Sequence, residues 1–225
     1  MIIVHENLAR EASEVANALE KVFKIKSNLI NRDIGDVLVP IKKFEGYLFS
    51  PLKSHTLLQI VPQGKAALLL TSKDIYLGNR NKEDDWVFGA NSGNISIVST
   101  QRLKGFNSKP SKEVVVPFNL YLNRLSLLSA HEIGHDVVNA PHFREAAWVN
   151  SKTGYQMDLG LHCTDNKCAM YEVVEIKAPP ATEGYLQLGD EKKYDAGVDE
   201  ALGRLYPSWL CKLCQSSLKI DERYS

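Results

Sequence analysis

The segment His131-Glu132-Ile133-Gly134-His135 constrains this 225-residue chain more than any other stretch. On an α-helix, positions i and i+4 lie on one face, one turn apart. A helix here aims two imidazoles at one point, where a metal ion can sit. Glu132 lies about 100° round the same helix, beside that point but not obliged to ligate. It suits a base acting on metal-bound water. The pattern predicts a helix over residues 120–138. Pro117 suits its approach, Leu120, Leu122, Leu125, Leu127 and Leu128 suit its interior, and Asn139-Ala140-Pro141 ends it. The motif is short, so a helix with two buried, hydrogen-bonded histidines is the competing reading.

All four cysteines lie after residue 160, as the pairs Cys163/Cys168 and Cys211/Cys214. The N-terminus lacks a basic and apolar leader, and no run approaches the ~18 apolar residues of a membrane span. A cytoplasmic protein without membrane contact is the expectation. In that setting paired cysteines favour a metal over disulfides. Cys-x4-Cys and Cys-x-x-Cys together fit a four-thiolate zinc site of Cys163, Cys168, Cys211 and Cys214. A redox role for Cys211 and Cys214 would leave the other two thiols unexplained. With 27 basic and 27 acidic side chains and no basic block, neither nucleic acid nor an anionic membrane is an expected partner.

The remaining elements follow from periodicity and turn residues. Residues 7–23 repeat apolar side chains at helical spacing, with Asn7 as the expected N-cap. Residues 24–40 read as irregular. Residues 47–49 and 57–61 are short apolar pieces, the second a strand or a helix end. Residues 66–71 read as a strand buried on both faces. Residues 86–88 and 95–99 read as strands joined by a turn-rich stretch at 89–94, and residues 146–149 and 155–159 as a hairpin. A short helix is expected at 195–205 and a loop at 177–190. The length supports one domain over residues 1–225, with subdomains 1–138 and 139–225.

The spacing of the second constellation resembles a known family. His162-Cys163, Cys168-Ala169-Met170 and Cys211-Lys212-Leu213-Cys214 follow the His-Glu-x-x-His helix in the manner of the archaemetzincins, a branch of the metzincin zinc metallopeptidases. The similarity runs over residues 57–214. It implies an α/β (α+β) fold, in which a twisted mixed sheet packs on helices above a small cysteine-zinc subdomain. It also implies two zinc ions, with Met170 beneath the catalytic one. The family's third histidine stands six residues after the second. Here position 141 is proline, so two candidates remain. His162 keeps the spacing to Cys163 and is favoured, with the residues before it as an insertion; His142 is the alternative. Tyr171 is read as a packing residue, with a reach to the site as its other reading.

The resulting expectation is a zinc-dependent metallopeptidase. Zinc-bound water would attack a peptide bond, Glu132 would serve as general base, and His131, His135 and His162 would hold the ion. An edge strand within residues 86–98 would pair with extended substrate. Two other readings stay open: a catalytically weak binding scaffold of the same fold, because the third histidine is displaced, and, more remotely, a zinc-ribbon nucleic-acid binder.

Overall fold

The computed structural model describes residues 1–41, 46–50, 55–76, 86–104, 118–149, 156–165, 167–171 and 209–224. Along them run β1 (Ile2–His5), α1 (Ala9–Phe23), β2 (Asn28–Asn31), β3 (Leu38–Pro40), β4 (Tyr47–Phe49), α2 (His55–Ile60), β5 (Ala67–Thr71) and β6 (Ile75–Tyr76). There follow β7 (Trp86–Val87), β8 (Gly89–Ser92), β9 (Ile95–Ser99), α3 (Phe118–Val137), β10 (Arg144–Val149), β11 (Gln156–His162) and a short helix Lys212–Ser216. The expected mixed α/β architecture is what the chain forms.

The main sheet has the order β2-β1-β5-β9-β8, parallel except for β8, which runs antiparallel to β9 at the edge. β5 is buried along its whole length, as its continuous apolar run predicts. Successive side chains alternate between two cores. Ile3, Leu68, Leu70 and Val98 join Val15 and Leu19 of α1 and Leu125 and Leu128 of α3. Val4, Ala67, Leu69 and Ile97 join Ile34, Val37, Leu57 and Ile60 on the opposite face. A second sheet, β3-β4-β6-β7, is not hydrogen-bonded to the first but adds Leu38 and Ile75 to this second core, and β10-β11 form a two-stranded ribbon.

Several expectations need correction. Asn7 does not cap α1: it takes a left-handed φ of 59°, and its side-chain amide pairs with that of Asn31. The amide of Leu8 is instead taken by Nδ1 of His5. Residues 24–40 are not irregular throughout, because β2 adds to the sheet edge through backbone bonds that need no apolar pattern. Of the two readings of residues 57–61, the helix end is the one that holds, since they fall largely in α2. The turn expected over 89–94 shrinks to Gly93-Asn94, since residues 89–92 form β8. The expected helix at 195–205, the loop at 177–190, the hairpin turn at 150–154 and Pro117 lie outside the described residues. Among the described helices, none is long and apolar enough to cross a membrane.

Candidate metal centre

Helix α3 is wedged between α1 on one side and β8 and β9 on the other. Its C-terminal half carries the motif, and that half is held from several directions. The carbonyl of Glu132 accepts from Nδ2 of Asn91 at 3.3 Å and from Oγ of Ser96 at 3.5 Å. Asp136 accepts from Nη2 of Arg223 at 3.0 Å and from the hydroxyl of Tyr224. The amide of Lys219 donates to the carbonyl of Val137 at 2.7 Å, so the C-terminal segment satisfies a carbonyl that the helix end would leave open.

His131 and His135 meet as their spacing requires, with their Nε2 atoms 3.1 Å apart. His162 joins them at ring-centroid distances of 5.2 and 4.6 Å. Ring nitrogens of all three lie within 4.8 Å of one another. The hairpin accomplishes this. β10 and β11 pair Arg144 with His162, which returns the end of the excursion to its start. Gly160 takes φ +81° there, a conformation that glycine tolerates, and donates its amide to Asp158 at 2.8 Å. His142, the other candidate for the third ring, is not part of this trio.

The hydrogen bonds fix which nitrogens face inward. Nδ1 of His131 lies 2.7 Å from the carbonyl of Ala169, and Nδ1 of His162 lies 3.2 Å from that of Gly160. A carbonyl only accepts, so each Nδ1 carries the proton and each neutral ring keeps its Nε2 lone pair. Burial, with repulsion from His162, lowers the pKa of His131 to about 4. Burial, with repulsion from His131 and His162, lowers that of His135 to about 2. Neutral imidazoles with converging lone pairs are what a divalent cation binds. Two nitrogens on one tetrahedral zinc stand about 3.4 Å apart, close to the spacing observed between His131 and His135. The donor set thus fits zinc.

Two close approaches complete the centre. Glu132 is buried, which raises its pKa to about 8. Its carboxylate lies on the backbone of β8, where a Cβ at Gly89 would stand 2.5 Å from Oε1. Met170, fully buried, sits against Gly134 in the middle of the motif, and a Cβ there would collide with its sulfur. A cleft of about 250 Å³ opens beside His162, lined also by Arg144, Cys163, Thr164 and Tyr171. Tyr171 therefore borders the opening rather than packing wholly in the core.

A second cluster lies one residue from His162. Sulfurs of Cys163, Cys211 and Cys214 and a ring nitrogen of His142 lie within 4.8 Å of one another. Sγ of Cys168 is 3.7 Å from that of Cys214 and 3.3 Å from the amide of Cys211. The amides of Asp165 and Cys214 point at Sγ of Cys163 and Cys211 respectively. Amide donors of this kind stabilise thiolates. Hydrogen bonds from the Cys163 and Cys214 thiols push Cys168 down, the bond to Cys168 pushes Cys163 up, and those to Cys163 and Cys168 push Cys214 up. So many sulfurs cannot all ionise together unless a cation offsets their charge, and this cluster also fits zinc.

The roles of Gly89, Asn91, Ser96, Arg223 and Tyr224 carried no signal in the sequence. Only Gly134 stood inside a motif.

No protein-family model and no curated protein matches the chain. Among solved structures, archaemetzincin from Archaeoglobus fulgidus, crystallised with malonate, aligns at 22% identity with a TM-score of 0.53, covering 96% of this chain and 99% of its own. Archaemetzincin from Methanopyrus kandleri aligns at 17% identity with a TM-score of 0.51, covering 96% and 90%. The fold is archaemetzincin-like. The archaemetzincin-like frame accounts for the shared order of elements. The roles of single residues rest on the geometry described above.

Proposed function

We propose that the chain is a zinc-dependent peptidase, with His131, His135 and His162 as ligands of a catalytic zinc and Glu132 as general base. The observation that carries this reading is the convergence of three neutral imidazoles beside a buried carboxylate. Zinc in such a centre polarises a carbonyl and lowers the pKa of water toward ~7. Glu132 takes a proton on its carboxylate and passes it to the leaving amine. Contact with Gly89 and the bonds from Asn91 and Ser96 to its own carbonyl hold it in place. Met170 supports the floor of the site through Gly134. Among the described strands β8 is an edge of its sheet, where an extended substrate can add, and the cleft beside His162 receives the residues next to the cleaved bond. The second cluster is read as a structural zinc site that fastens the C-terminal segment to the turn after His162. The partner is a peptide or protein, and no basic patch favours nucleic acid.

The scaffold reading rested on the displaced third histidine. The hairpin register brings His162 to the other two rings, which favours the enzyme. Glu132→Gln is expected to keep its zinc and lose about 10²–10⁴-fold in peptide cleavage, the usual worth of a positioned base. Cleavage by this variant at the wild-type rate would sink the reading.

A further inference from the structure

We infer that His142 is a ligand of the second ion, together with Cys163, Cys211 and Cys214, and that Cys168 is a fifth donor standing beside a four-coordinate site. This rests on reading the cluster as a metal site. Nε2 of His142 lies 3.6 Å from Sγ of Cys211, 3.6 Å from Sγ of Cys214 and 2.9 Å from Sγ of Cys163. A nitrogen and a sulfur sharing one tetrahedral zinc stand about 3.6 Å apart, given bonds of ~2.05 and ~2.3 Å. Two of the three distances match. The third is the closer approach of a thiol and an imidazole that hydrogen-bond to each other. Two sulfurs on one zinc stand about 3.8 Å apart, and Cys163 and Cys211 are 3.9 Å apart.

Apart from an edge-on contact with Phe143 at 5.5 Å, the ring has no other tether among the described residues. Its Nδ1 is buried and lacks a hydrogen-bond partner, so the contacts at Nε2 set its orientation. Cys168 is placed differently. It stands outside the group whose donor atoms all lie within 4.8 Å of one another, although it hydrogen-bonds with the thiols of both Cys163 and Cys214. Its turn is already closed by backbone bonds from Cys168 to Asp165, from Tyr171 to Cys168 and from Cys163 to Met170. An ion adds little there. His142 precedes β10 and Cys163 follows β11, so an ion bound to both clasps the base of the hairpin. The strand end that carries His162 is then fixed by the neighbouring ion.

Cadmium-113 resonance of the full chain loaded with cadmium alone tests this. Thiolate-rich cadmium resonates far downfield of cadmium held by histidines, so the two sites are separable. Replacing one thiolate of four by imidazole moves the signal upfield. The wild-type signal is expected at the three-sulfur, one-nitrogen position. Cys168→Ser is expected to leave it unmoved with one ion retained. His142→Ala is expected to move it downfield as Cys168 enters. A wild-type signal at the four-sulfur position, shifted by Cys168→Ser and indifferent to His142→Ala, overturns the inference. Either variant decides the matter if the other fails to fold. Absence of any thiolate-region signal in the wild type overturns the metal reading of the cluster itself.

Discussion

Glu132 is a stability burden in the metal-free protein, and the burden has a definite pH dependence. Burial raises its pKa from 4.5 to about 8. Between those values the folded chain binds a proton that the unfolded chain does not, so stability falls as pH rises through that window. Glu132→Gln removes the effect. In urea unfolding without metal, the variant is expected to match the wild type near pH 4 and to exceed it by a few kcal/mol at pH 8. A gap that does not widen with pH would show that the carboxylate is not buried as described. Gly89 bears on the same side chain. Gly89→Ala places a Cβ 2.5 Å from Oε1, so the carboxylate must move, and a roughly 10²-fold loss of cleavage with zinc retained is expected in steady-state assays. At this scale the sequence was informative where one helix sets the geometry. His131, Glu132 and His135 follow from helical spacing alone. It favoured His162 over His142 only through the spacing to Cys163, because what decides the choice is strand register, which pairs Arg144 with His162. Spacing along the chain does not encode it.

Helix α3 depends on its neighbours more than on its own sequence. Its C-terminal turn leans on Arg223, Tyr224 and Lys219, all far away along the chain. Tyr224→Phe removes one hydrogen bond from a half-buried carboxylate and is expected to lower stability by about 1–2 kcal/mol in denaturant titrations, with metal content unchanged. Gly134→Ala is expected to cost about 1–3 kcal/mol, because the added methyl overlaps the sulfur of Met170 and the helix must shift. Elements with strong apolar periodicity were legible: α1 through Ala12, Val15, Leu19 and Val22, and β5 through its unbroken buried run. β8 was not, and the reason lies in what it packs against. Gly89, Asn91 and Ser92 look like turn residues, yet Gly89 makes room for a carboxylate and Asn91 donates to the carbonyl of Glu132. β2 was missed because its side chains are mostly exposed and leave no alternating pattern.

Across the whole molecule, the two clusters gather α3, the base of the β10-β11 ribbon and the C-terminal segment. The C-terminal segment supplies Cys211 and Cys214 and also ties back to α3. Removing metal with a chelator is therefore expected to lower the melting temperature, by the equivalent of about 4 kcal/mol per site where free metal exceeds its dissociation constant a thousandfold. Calorimetry with and without chelator measures this, and an unchanged melting temperature contradicts it. Overall charge contributes little, since acidic and basic side chains balance. The strand that bounds the Glu132 carboxylate is also the rim onto which an incoming polypeptide would zip. Main-chain rungs would then act as a ruler, fixing which amide stops beside the carboxylate before any side chain of the guest is consulted.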